Sequence, residues 1–345
     1  MVAAIKKELF LRNRFLPDQT LKSLYFGGGT PSVLSVDELK GIIDEVLKYF
    51  SFASDIEITL EANPDDLSSN YLRDLAKSEV NRLSIGTQSF FDEELKFMNR
   101  AHSASEADSS VKTAQDFGFH NISIDLIYGS PVSNLAMWKT NLQKAVDLQI
   151  PHISSYALTV EPNTALENWI SKGQVEPPRD ADQNDEFFFM CQFLKDNGFD
   201  HYEISNFAKP GYHSLHNSAY WEYQPYLGLG PSAHSYNGSD CRSWNVAHNP
   251  LYIKTIDQDQ LPLEYEILSE TDRHNEMLMI GLRTAKGVNM GVLKTLVSDD
   301  IYNNLLESMQ PKIKEGILKM DAGYLKIPEA HWFMADGIAA SLFVV

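Results

Sequence analysis

Five times before Pro162 a short apolar strand runs into a polar or glycine-rich turn, the first four leading on to a helix, and that rhythm limits the fold more than any other feature. Leu21 to Phe26 ends in Gly27-Gly28-Gly29-Thr30-Pro31 and leads to a helix opened by Ser35 and Glu38 at capping-box spacing. Ile56 to Leu60 is followed by Glu61-Ala62-Asn63-Pro64 and a helix through Tyr71 and Leu75. Arg82 to Gly86 is followed by Thr87-Gln88-Ser89-Phe90 and two helical stretches, the second capped by Ser103 with Glu106. Asn121 to Tyr128 ends at Gly129-Ser130-Pro131 before a helix from Leu135 to Leu148, and His152 to Leu158 closes on Thr159-Val160-Glu161-Pro162. Serial β/α units predict a parallel sheet with helices outside, either open and doubly wound or part of a barrel. In both, the turns after the strands gather at the edge where such folds build their sites.

The flanks break the rhythm. Val2 to Leu16 has helical spacing, so the chain is expected to open in a helix with no strand before it. Beyond Pro177 come a phenylalanine-rich helix from about Asp182 to Asn197, then Tyr202 to Ala208, then a glycine-, aromatic- and histidine-rich stretch from Pro210 to Asn249. That stretch reads as long irregular backbone, functional or lid-like. Helices around Asn275 to Leu282, Gly291 to Leu296 and Asn303 to Glu315 precede a hairpin between Gly316 and Ile327, turning near Asp321-Ala322-Gly323. Helices plus a small hairpin predict a winged-helix-like C-terminal domain. The expected division is 1–175 for the β/α region, 176–265 for an extension carrying the aromatic and histidine segment, and 266–345 for the C-terminal domain.

Charge narrows the partners. With 29 basic against 47 acidic residues, a net charge of −18, and no gathered basic face, no nucleic-acid partner is expected, and the winged-helix-like part is read as a packing element. Cys191 and Cys241 are the only cysteines, which argues against a disulfide-stapled secreted fold and supplies no Cys-x-x-Cys pair. No apolar run is long enough for a membrane span and the N-terminus is unlike a signal peptide, so a cytoplasmic location is expected.

Successive glycines at 27 to 29 let backbone amides approach a small molecule, although a lone triple glycine is more simply a tight turn. The spacing is neither a dinucleotide fingerprint nor a phosphate loop. Glu61 and Asn63 follow the next strand, Gln88 the one beyond, and Asp125 stands inside the apolar run Ile122 to Gly129. An acid there is costly to bury unless it is paired or binds something, which makes Asp125 the most informative residue of the β/α region. Its simpler role is to accept hydrogen bonds from a neighbouring loop. Arg100 either complements these carboxylates or forms a surface pair.

The glycine loop, Glu61-Ala62-Asn63-Pro64, Gly86-Thr87-Gln88-Ser89-Phe90, Asn99-Arg100 and Asp125-Leu126-Ile127-Tyr128-Gly129 occur in the order found in the oxygen-independent coproporphyrinogen III oxidase-like family of radical-SAM proteins, and the resemblance covers essentially the whole chain. It implies an α/β fold, an incomplete TIM-like barrel with a mostly helical, winged-helix-like C-terminal domain. It implies that Gly28, Gly29 and Thr30 hold the methionine end of S-adenosylmethionine, with Glu61, Gln88, Arg100 and Asp125 around the same cofactor and Asp125 suited to a ribose diol. Gln88-Ser89-Phe90, His216-Asn217-Ser218-Ala219-Tyr220-Trp221, Tyr226 to Gly230, Ala233 to Tyr236, Thr271-Asp272-Arg273 and Gly281 to Thr284 resemble the HemW-type haem-chaperone branch. That branch implies haem or porphyrin as ligand and haem-requiring proteins as acceptors.

Family members begin with a further strand and a Cys-x-x-x-Cys-x-x-Cys loop that binds a [4Fe-4S] cluster. This chain is expected to start after that loop, to hold no cluster or other metal, to have no catalytic residue for radical chemistry, and to associate through an exposed edge at Leu21 to Phe26. The alternatives are an oxidase that decarboxylates coproporphyrinogen III, and a non-catalytic scaffold. For haem, Pro210 to Asn249 offers His213, His216, His234 and His248 with Tyr220, Trp221, Tyr226, Tyr236 and Trp244. The plainer reading is an aromatic satellite core. By the chaperone-like pattern His216 is the expected axial ligand, with Tyr220 and Trp221 supplying contact area and His234 in reserve.

Overall fold

The computed structural model describes residues 1–344; Val345, the last residue of the expected C-terminal domain, lies outside them. Two compact units result, interleaved along the chain: Met1–Leu24, Asp37–Ile56 and the residues from Ser214 onward form one, and Tyr25–Val36 with Glu57–His213 form the other.

The main sheet has seven strands: β1 (Thr20–Phe26), β2 (Ser51–Ala62), β3 (Arg82–Gln88), β4 (Asn121–Tyr128), β5 (His152–Ala157), β6 (Asp200–Glu203) and β7 (Asn206–Ala208). Their spatial order is β1-β2-β3-β4-β5-β7-β6, so β1 is an edge strand. Strands β2 to β5 pair in parallel, and β7 is antiparallel to both β5 and β6. The fold is thus α/β, an open half-barrel sheet that ends in a short antiparallel hairpin. Strand β4 and the Ser103–Glu106 capping box stand where the sequence places them. The first helix is shorter than expected and ends at Arg12, while β2 starts earlier, at Ser51.

Strand alternation separates two kinds of surface. Ile58, Leu60, Leu83, Ile85, Ile122, Ile124, Leu126 and Ile153 occupy one face and are fully buried. The opposite face carries Glu57, Thr59, Glu61, Arg82, Ser84, Ser123, Asp125, His152 and Ser154. A parallel sheet buried on both sides is usually apolar on both. Here one side is polar, and its polar groups need partners or a ligand.

The expectation of irregular backbone over Pro210 to Asn249 is corrected. That stretch holds the helix Leu215–Trp221 and two strands, β8 (His234–Tyr236) and β9 (Cys241–Asn245), which join β10 (Leu263–Ile267) in an antiparallel sheet of order β10-β9-β8. Periodicity hid them because β8 has only three residues and β9 is fixed by pairing with a strand some twenty residues on. Helices Glu270–Gly281, Met290–Leu296 and Asp299–Lys314 then pack with β11 (Val288–Asn289), β12 (Lys319–Asp321) and β13 (Tyr324–Lys326), a winged-helix-like arrangement. Its hairpin turns at Ala322 and Gly323, both with left-handed φ. Among the described residues no helix is long and apolar enough to cross a membrane.

Candidate functional site

The polar face of the sheet opens into a cleft of about 190 Å³ at the ends of the parallel strands, lined by Gly29, Thr30, Glu61, Asn63, Gln88, Arg100 and Asp125 among others. The structure therefore gathers Gly29, Thr30, Glu61, Gln88, Arg100 and Asp125, which are far apart in sequence, into one place. Gly28 sits in the same loop, and its amide donates to Glu61 Oε2 at 3.2 Å. A Cβ on Gly28 or Gly29 would meet only open space, whereas one on Gly27 would collide with Tyr25 and Glu61. The first glycine thus serves packing, and the next two keep backbone exposed to the cleft.

Glu61 Oε1 accepts from the Tyr25 hydroxyl at 2.7 Å, which orients the carboxylate. Arg100 Nη2 donates to Asn63 Oδ1 at 2.9 Å and to the Gly86 carbonyl at 3.2 Å. A side chain on Gly86 would press on that guanidinium, so the glycine is required by the arginine's approach. Gln88 follows a register shift between β3 and β4 and has φ of 63°. A non-glycine residue in the left-handed region is strained, and such strain persists where surrounding structure enforces it. Asp125 is part-buried, and its pKa is pushed up to about 7, first by burial and then by the charge of Glu61; a hydrogen bond from Ser154 and the charges of Arg82 and Arg100 oppose the rise. Burial and Glu61 likewise push the Tyr25 phenol up. Tyr25, Arg82 and Ser154 escaped the sequence reading because nothing in their own segments marks them; only strand register brings them to the carboxylates.

The aromatic and histidine residues are less unified. His213 belongs to the unit of the main sheet, stacks on Tyr202 with centroids 4.3 Å apart, and lies 3.2 Å from Asp200. His248 caps the helix Asn249–Asp257, accepting from the Leu251 amide at 3.1 Å. These two have structural work. His216, on the helix Leu215–Trp221, has Nδ1 3.1 Å from Ser23 Oγ and an edge contact with Tyr220, and burial pushes its pKa down to about 4. Tyr220 in turn meets Tyr226 edge-on, and the Trp221 ring lies under the Arg283 guanidinium at 5.9 Å. His234 is exposed and stacked on Trp244 at 5.9 Å.

Residues 8–145 match the radical SAM superfamily. Over 271 residues the chain is 35% identical to the haem chaperone HemW of Lactococcus lactis, covering 78% of this chain and 71% of that protein. The chain belongs to the HemW family of radical SAM proteins. The HemW of Mycobacterium tuberculosis is 32% identical over 340 residues, 98% of this chain and 85% of that one. Coproporphyrinogen III oxidase of Escherichia coli, described as a radical SAM enzyme, superimposes with a TM-score of 0.83 at 22% identity over 99% of this chain and 82% of its own, which shows a shared fold. The HemW resemblance read from the sequence, and the incomplete barrel it implied, are therefore correct.

Membership of this family implies S-adenosylmethionine and a [4Fe-4S] cluster. The cleft's donor set fits the first: carboxylates for an amine and a diol, a guanidinium and backbone amides for a carboxylate. At about 190 Å³ the cleft is smaller than the roughly 300–1,000 Å³ of pockets that enclose a whole ligand, and suits recognition of part of one. The cluster does not fit the residues present. It needs several thiolates, the chain has two separate cysteines, and among the described residues no group of three His, Cys, Asp or Glu is placed to hold a metal.

Proposed function

We propose that this HemW-family chain handles haem and that its cleft binds S-adenosylmethionine. The observation that carries the cofactor reading is the convergence of Glu61, Gln88, Arg100 and Asp125 with the Gly28 to Thr30 loop on one cleft at the strand ends. Gly28, Gly29 and Thr30 take the methionine end, and the ionised Asp125 accepts from a ribose diol. Arg100, held by Asn63 and Gly86, contributes positive charge beside the carboxylates. When bound, the cofactor supplies a sulfonium whose reductive cleavage is the chemistry of the superfamily; this chain's own residues bind and orient it. The relatives named as haem chaperones support haem as the ligand and haem-requiring proteins as acceptors.

For haem, His216 with Tyr220 and Trp221 is the first candidate site and His234 the second. Burial keeps the His216 imidazole neutral, as an axial ligand must be, while His234 offers the more exposed ring. Haemin titration followed at the Soret band separates them. The expected result is a saturable shift that is lost in His216→Ala and kept in the distant His331→Ala; a shift lost only in His234→Ala moves the ligand there, and no saturable shift in the wild type removes the haem reading.

A further inference from the structure

Behind Asp125 the polar side of β4 and β5 forms an unbroken line of hydrogen-bonding groups. Ser154, opposite Asp125 in the strand register, hydrogen-bonds its carboxyl group. Ser154 Oγ is 3.3 Å from Ser123 Oγ, Ser123 Oγ is 2.7 Å from His152 Nδ1, and His152 Nε2 is 2.7 Å from the Tyr202 hydroxyl. Ser123 and His152 are 1% and 0% exposed, so the protein supplies their partners. Burial, with help from Arg82 and His213, pushes the His152 pKa well down, and the ring is neutral.

A neutral imidazole carries one N–H, and each hydroxyl has one hydrogen to give. With Asp125 ionised, Ser154 donates to it and must accept from Ser123. Ser123 then accepts from His152, which places the hydrogen on Nδ1 and leaves Nε2 to accept from Tyr202. With Asp125 protonated and donating to Ser154, every link reverses, and His152 carries its hydrogen on Nε2. These are the two arrangements in which every link runs in one direction along the line, and Ser154 also hydrogen-bonds Tyr156 at the cleft end.

We propose that His152 is a positioning residue for the cleft, its tautomer tied through Ser123 and Ser154 to the charge of Asp125: Nδ1–H with the carboxylate, Nε2–H with the acid. The groups facing Asp125 are Glu61 from β2, Arg82 from β3, Arg100 from the turn after Asp92–Phe97, Tyr25 from β1 and Tyr156 from β5. Those facing His152 are Arg82, His213 and Tyr202. Tyr25 and Tyr156 are neutral near neutral pH, since phenols ionise well above it and burial and the neighbouring carboxylates push both further up. A diol that requires ionised Asp125 selects the Nδ1–H form, and this consequence rests on the S-adenosylmethionine reading; the coupling of tautomer to charge does not.

The test uses the whole chain without ligand, labelled with ¹⁵N in histidine and ¹³C in the aspartate carboxyl, from pH 5.5 to 8.5. Signals of His152 and Asp125 are assigned by their loss in His152→Gln and Asp125→Asn. The expected result is that the His152 nitrogens exchange protonated and unprotonated character at the midpoint of the Asp125 carboxyl titration. In Ser123→Ala the tautomer change disappears while Asp125 still titrates; Ser154→Ala cuts the line at its other joint and gives the same result if the first variant does not fold. His213→Gln, which removes the other imidazole facing the line, leaves the change in place. A His152 held in one tautomer across the range overturns the proposal, as does a tautomer change that survives both serine variants. If the cofactor reading alone is wrong, calorimetry with S-adenosylmethionine shows no binding while the coupled titration remains.

Discussion

Two inward-facing carboxylates, Glu8 in one compact unit and Asp125 in the other, are compensated in opposite ways. Glu8 is fully buried and receives four donors: Arg12 Nη1 at 3.1 Å, the Gly230 amide at 2.9 Å, Asn245 Nδ2 at 2.7 Å and the Tyr252 hydroxyl at 2.7 Å. Arg12 also reaches the Gly228 carbonyl at 3.2 Å and Ser235 Oγ at 3.0 Å. The Glu8 carboxylate is saturated by these donors and leaves nothing for a ligand to do. Asp125 instead has Ser154 as its hydrogen-bonding neighbour, a like charge in Glu61, and an open cleft in front of it. Under-compensated charge beside a cavity is what the proposed cofactor site requires, whereas saturated charge is what a structural joint requires.

The largest effect expected from this contrast is on stability. Glu8→Ala strands the buried Arg12 and should cost about 3–5 kcal/mol in chemical denaturation, because one partner of a buried pair is removed. Affinity for S-adenosylmethionine per folded molecule should stay at the wild-type value. A cost below about 1 kcal/mol would place Glu8 with the weak surface pairs instead.

Asp125→Asn should act in the opposite sense. Because the folded-state pKa is raised from 3.8 to about 7, the contribution of this group is fully present below 3.8 and is lost as pH rises through about 7. The variant should therefore be more stable than the wild type at pH 8, on the order of 1–2 kcal/mol after allowing for solvent at the cleft, and lose that advantage towards pH 4. Thermal melts at both pH values check this; equal stability at pH 8 would mean that Asp125 is better compensated than its surroundings imply.

Gln88→Gly is the smallest change. Glycine relieves the left-handed backbone but adds chain entropy, so stability should shift by no more than about 1 kcal/mol, while loss of the side chain weakens cofactor binding. A larger stability loss would assign Gln88 a packing role.

The contrast also explains what was legible in the sequence. Asp125 stood out because an acid interrupts Ile122, Ile124 and Leu126, and β4 itself was bounded cleanly by Gly129-Ser130-Pro131. Glu8 looked like any helical charge, since its partners lie more than 200 residues away around Gly230, Asn245 and Tyr252. His213 and His248 looked like potential ligands until Asp200 and the Leu251 amide claimed them. The line from Asp125 to His152 depends on the pairing of β4 with β5, and strands of this length do not announce their neighbours. Local periodicity thus revealed the elements, and pairing over long separations decided which polar residues meet.

The central claim is that the polar cleft is a cofactor site, and calorimetric titration of S-adenosylmethionine into the wild type, Asp125→Ala and Glu61→Ala at pH 7.5 tests it most directly. We predict measurable binding in the wild type, weakened at least tenfold in each variant, with the distant His331→Ala as a folded control that binds normally. Identical affinity in the wild type and both cleft variants, or no binding to folded wild-type protein, would contradict the account.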